Sequence, residues 1–181
     1  MLLYVKNIFQ LLLAPSRGWE DVSAGGVSFD RMLRSGFVPL VILTALTEFI
    51  PLAYYSNLTF LGALGSAIAV GGGLFASLFA SRLVLDVALS RYIKQDINMV
   101  KVNNLALYLV GFDCFYRIFS NILPGSLTFL YFLPLISIVV LFKSTAYLGI
   151  EEEKTINYIF ISFVGVVIIP ALICWLLLLI I

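Results

Sequence analysis

Residues 62–89 read GALGSAIAVGGGLFASLFASRLVLDVAL, and this stretch decides the fold. It exceeds the about 20 predominantly apolar residues that a helix needs to cross a bilayer, and its ionisable groups, Arg82 and Asp86, both lie near one end. Gly65, Ala69, Gly73, Ser77 and Ser81 recur at every fourth position, the spacing that stacks residues on one face of a helix. Gly72, Ala76 and Ala80 form a second row. A face of small residues lets a neighbouring helix approach closely, whether from the same bundle or from a second copy of the chain. Gly71-Gly72-Gly73 offers another reading, a helix unwound as in some transporters, but no polar cluster sits beside it.

Four further segments have the length and composition of a crossing. The expected spans are 33–55, 62–89, 102–123, 126–148 and 157–181, joined by turn residues at 56–58 and Pro124-Gly125 and by charged loops at 90–101 and 149–154. The composition agrees: 62% of the 181 residues are hydrophobic and 12% charged, which places the chain outside the range of soluble globular domains. The expected fold is all-α, a polytopic transmembrane helical bundle of about five spans forming one membrane domain over residues 1–181. Its partner is the lipid bilayer, with a homo-oligomer or another membrane protein as further candidates. With a net charge of +1 and no long run of one sign, there is no footprint for nucleic acid.

Residues 1–22 precede the first span. Leu11-Leu12-Leu13-Ala14 resembles the core of a secretory signal, but Lys6, Asn7 and Gln10 interrupt it. Those three fall on one stripe, with Ile8, Phe9, Leu11 and Leu12 mostly opposite, which predicts a short amphipathic helix lying in the membrane interface. Pro15 ends that helix, Arg17 faces anionic headgroups, and Trp19 sits at headgroup depth as an anchor.

Lysine and arginine alternate in their placement. Lys6, Arg17, Arg31 and Arg34 precede the first span, Arg91, Lys94 and Lys101 follow the second, and Lys143 and Lys154 flank the loop after the fourth. The opposite loops and the C-terminus carry none. The positive-inside rule then puts the N-terminus in the cytoplasm and the C-terminus outside, in a cell inner membrane.

Ionisable residues at bilayer depth are costly, so each requires a partner or a function. Counting about 1.5 Å per residue from the cytoplasmic ends matches Arg82 in depth with Asp113, and Glu48 with Arg117. Two interhelical pairs follow from that match. Asp113 and Arg117 are also four apart on one helix, so a local pair competes. The structural reading makes these charges ties, and the functional reading makes them a proton or solute pathway. Asp86 and Lys143 lie close enough to the cytoplasmic face to reach water.

Catalytic patterns are poorly served. The absence of histidine removes serine–histidine dyads and the commonest metal ligand. Asp86 and Asp113 invite comparison with intramembrane aspartyl proteases, yet Gly111-Phe112-Asp113 lacks the second glycine of their motif and arginines lie four residues from both acids. Glu151-Glu152-Glu153 does not converge on a metal and fits better near the start of the last helix, opposite its dipole. Cys114 and Cys174 lie in apolar runs, as free thiols do. Asn57-Leu58-Thr59 is a short glycosylation match close to the bilayer. No cofactor is expected.

The stretch Ile8-Phe9-Gln10-Leu11-Leu12-Leu13-Ala14-Pro15-Ser16-Arg17-Gly18-Trp19-Glu20, followed by five spans, resembles the Yip (Ypt-interacting protein) family in its compact bacterial form. Leu12, Pro15 and Trp19 carry the motif. The charged turn after the second span and Leu148-Gly149-Ile150 before the last helix extend the likeness, while Gly111 stands where many relatives carry proline. The resemblance implies a five-span fold and a membrane address. The eukaryotic members' GTPase-binding role depends on a long N-terminal region that has no counterpart here. The expected function is non-enzymatic, membrane-organising or partner-binding; the alternative is a small transporter or permeation subunit using Glu48, Arg82, Asp113 and Arg117.

Overall fold

A computed structural model describes residues 1–26, 28–93, 98–123 and 133–180. The described residues form seven helices and no strand. They are α1 (Leu2–Leu13), α2 (Pro15–Ala24), α3 (Phe29–Ala53), α4 (Phe60–Arg91), α5 (Met99–Ile122), α6 (Leu133–Leu148) and α7 (Glu152–Leu179). Among them α3, α4, α5 and α7 are long and apolar enough to cross a membrane. The expected fourth span falls partly on residues 126–132, which lie outside the described residues, as do the Pro124-Gly125 turn, Lys94 and Ile181.

Side-chain contacts show where α6 runs. The Lys101 ammonium, near the start of α5, donates to the carbonyl of Tyr147, near the end of α6, at 2.7 Å. The end of α6 therefore lies beside the start of α5. Gly149, in left-handed conformation with φ of +72°, then reverses the chain into α7. The Ile150 amide closes the turn onto the Thr145 carbonyl at 2.9 Å, a helix stop that favours glycine because a Cβ is strained at that φ. Glu152 and Glu153 occupy the first turn of α7, where their charge opposes the helix dipole.

Other helix ends follow local chemistry. Thr59 caps α4 by accepting the Gly62 amide at 3.1 Å, and Asn98 caps α5 by accepting the Val100 amide at 2.9 Å. Two of the three π-helical turns among the described residues, Leu33–Phe37 in α3 and Val164–Ile168 in α7, end two residues before a proline, Pro39 and Pro170. Proline lacks the amide that would bond one turn back and its ring crowds that carbonyl, so the ladder widens where it cannot close.

α5 is the axis of the bundle, buried almost continuously from Asn104 to Phe112. The small row of α4 is turned inward: Ala69, Gly73, Ser77 and Ser81 are buried, and Gly65 is half-buried. Its partner is α7, because a Cβ built on Gly73 would lie 3.0 Å from the Cys174 sulfur and 3.4 Å from a Leu177 methyl. The second row looks outward, with Gly72 and Ala76 exposed and nothing within 4 Å of a Cβ on Gly72.

Candidate functional site inside the helix bundle

Two of the four intramembrane charges meet. Pro51 prevents α3 from continuing as a regular helix, and the last α-helical turn delivers Thr47 and Glu48 to the side of α5. There the Glu48 carboxylate stands 4.0 Å from the Arg117 guanidinium, with side chains 9% and 27% exposed respectively. A third group, absent from the charge count, completes the node. The Asn121 amide donates to Glu48 at 2.9 Å and to the Thr47 hydroxyl at 3.1 Å. Asn121 lies one helical turn beyond Arg117, on the same face, and that spacing was the available signal.

Arg82 and Asp113 do not pair, which corrects the expectation drawn from depth. The Arg82 Nε donates to Asn103 at 2.8 Å, and its guanidinium lies 4.4 Å above the Phe29 ring. Asn103 precedes Asp113 by about 15 Å of helix rise, more than an arginine side chain spans, so Arg82 meets α5 at a level well short of Asp113 and the depth count sets it too deep against that helix. The local alternative is not closed either: the ion pairs within 4.0 Å among the described residues are Arg117–Glu48 and Lys154–Glu151.

Asp113 instead borders a cavity of about 330 Å³ between α4, α5 and α7. Arg117, Tyr116 and Ser120 share its α5 wall, Leu74 closes it from α4, and Pro170, Cys174 and Trp175 line it from α7. The widened ladder before Pro170 opens onto this space. Cys114 and Cys174 are both buried free thiols.

The N-terminal helices form a second polar system. The α1 residues Tyr4, Asn7, Ile8 and Leu11 face inward, whereas Leu2, Phe9 and Leu13 are exposed. Tyr4 donates to the Leu107 carbonyl at 2.6 Å, and Asn7 donates to the Tyr108 hydroxyl at 2.9 Å. Burial pushes the Tyr4 hydroxyl well above the usual tyrosine range, which keeps it a donor. Two glycines admit this helix: a Cβ on Gly36 would lie 2.5 Å from Tyr4 Cβ, and one on Gly111 would lie 2.8 Å from Ile8 Cδ1. At Gly111 the added carbon would crowd the ends of the Tyr4 and Ile8 side chains, and at Gly36 the root of Tyr4.

The short N-terminal helix is present as expected, but one residue of its polar stripe, Asn7, points into the bundle. The anchor reading needs a larger correction. Pro15 ends α1 and also opens α2, and Arg17 is exposed, but Trp19 is only 2% exposed. Its indole N–H donates to the Val140 carbonyl at 3.0 Å and its ring stacks on Tyr147 at 4.9 Å. α2 folds back along α1, with Gly18 against Leu11, so the tryptophan turns to α6 and a main-chain acceptor instead of to headgroups.

Four helices long and apolar enough to cross a bilayer, packed into one bundle, are the architecture of a helical membrane protein. No family model, curated protein or solved structure matches the chain.

Proposed function

We propose that the chain is a non-enzymatic, membrane-organising protein of the compact Yip type, residing in a cell inner membrane with its N-terminus in the cytoplasm and its C-terminus outside. The observation that carries this reading is the use made of the intramembrane charges. Glu48, Arg117 and Asn121 join α3 to α5, and Arg82 with Asn103 joins α4 to α5, so three of the four charged groups tie neighbouring helices together. Polar groups paired across neighbouring helices serve to fix the bundle. The exposed Gly72 and Ala76, flanked by exposed Ile68 and Phe79, offer a partner helix or a second copy a close approach.

Photo-crosslinkable residues at Ile68 and Phe79, incorporated in living cells, are expected to give a discrete protein adduct. Lipid-sized shifts alone at both sites would sink the partner-binding reading. The orientation is tested separately by reporter fusions. Fusions after Leu58 and Ile181 should report the outer side and those after Gln95 and Glu152 the cytoplasm. A cytoplasmic C-terminus would overturn the proposed topology.

A second reading, transport, is favoured by one observation: Asp113 borders a cavity and forms no tie. Net solute flux in proteoliposomes that disappears in Asp113→Asn would establish it.

A further inference from the structure

The charges at the centre of the bundle do not balance. Glu48 and Asp113 supply two carboxylates and Arg117 supplies one guanidinium, and Arg117 is already held at 4.0 Å by Glu48. Arg82, the remaining basic residue at comparable depth, is directed to Asn103 and Phe29. The sequence between Asn121 and Lys143 contains no charged residue that could supply a missing cation. A lone carboxylate in a membrane interior is too costly to persist, so Asp113 holds either a proton or a positively charged ligand.

The space beside it selects between ligand classes. About 330 Å³ is room for roughly ten water molecules at about 30 Å³ each, far more than a bound proton requires. A hard metal ion demands about six oxygen ligands, whereas the walls offer the Asp113 carboxylate with the hydroxyls of Ser120 and Tyr116, beside the Arg117 guanidinium that Glu48 holds, and are otherwise apolar. Apolar walls that include the rings of Tyr116 and Trp175 suit an organic cation, whose weakly hydrated charge is attracted to aromatic faces. Trp175 is 58% exposed, so the cavity reaches the outer surface of the bundle and a lipophilic cation has a route to it from the bilayer.

We propose that this cavity binds a small organic cation, with the Asp113 carboxylate as its counter-ion and Trp175 at its mouth. The proposal is independent of the membrane-organising reading. The titratable groups around Asp113 are Cys114, Tyr116 and Arg117 on its own helix, Cys174 on α7, and Glu48 on α3 acting through Arg117; α4 presents Leu74. Because proton and cation compete for one carboxylate, affinity falls as pH falls.

The test is calorimetric titration of the full chain in lipid nanodiscs with benzyltrimethylammonium, beside its neutral isostere neopentylbenzene. Saturable binding of the cation at pH 8.5 is expected, weaker by tenfold or more at pH 5.5 and in Asp113→Asn, and weakened also in Trp175→Ala. Unchanged affinity in Asp113→Asn, equal binding of the neutral isostere, or no saturable binding would overturn it. So would failure of Asp113→Asn to fold, because removing an unbalanced buried charge should leave the thermal transition at or above that of the wild type.

Discussion

Gly73→Leu should lower the stability of the detergent-solubilised protein by about 3 kcal/mol or more, while the same substitution at the adjacent Gly72 leaves it unchanged or slightly raised. Both changes replace glycine by a better helix former, worth about 1 kcal/mol in each case, so propensity cancels in the comparison. The difference is what each side chain meets. At Gly73 the first added carbon already lies 3.0 Å from the Cys174 sulfur, and three more carbons must enter the contact between α4 and α7. At Gly72 the space is open. Thermal unfolding of the two variants in one detergent decides the matter, and equal transitions would mean that the row does not pack on α7. Leu74, 1% exposed, is no lipid-facing control, since truncating it would itself leave a cavity.

Arg117→Met is expected to destabilise by about 3 kcal/mol, whereas Glu48→Gln costs only about 1 kcal/mol. The asymmetry comes from what each removal leaves behind. Removing the base strands the Glu48 carboxylate, held then by Asn121 alone. Removing Glu48 leaves Arg117 free to turn to Asp113, four residues away on the same helix, while the glutamine retains an oxygen for Asn121. The double variant should recover part of the Arg117→Met loss, a coupling that a double-mutant cycle reads directly. Equal single losses that add in the double variant would remove the Glu48–Arg117 tie.

The spans were legible because a bilayer imposes a length and a polarity on each crossing, and Phe60–Arg91 and Met99–Ile122 differ from the expected limits by one to three residues. The Glu48–Arg117 contact was legible from depth, since both Cα atoms and both side-chain tips lie at the same level. Arg82 was not, because counting from assumed span ends ignores how far one helix is shifted along its neighbour. Trp19 was misplaced for a related reason: its amphipathic ring suits a headgroup region or a buried site with an acceptor equally well, and only the fold of α2 back along α1 decides between them. Asn121 and the Asp113 cavity depend on the angle between helices, which no periodicity encodes.

The contacts of α1 and α2 have a consequence for biogenesis. Tyr4 and Leu107 are separated by 103 residues, Asn7 and Tyr108 by 101, and Trp19 and Val140 by 121. A segment synthesised about a hundred residues ahead of its partners thus acquires them only after α5 and α6 have been made. Loop closure over such distances grows only logarithmically in cost, so the delay is kinetic far more than energetic. Until α5 and α6 arrive, the Tyr4 hydroxyl, the Asn7 amide and the Trp19 indole have no acceptors in the bundle. Docking of the N-terminal pair is therefore a late step of maturation, and an N-terminal fusion that obstructs it would arrest the protein with its spans already in place.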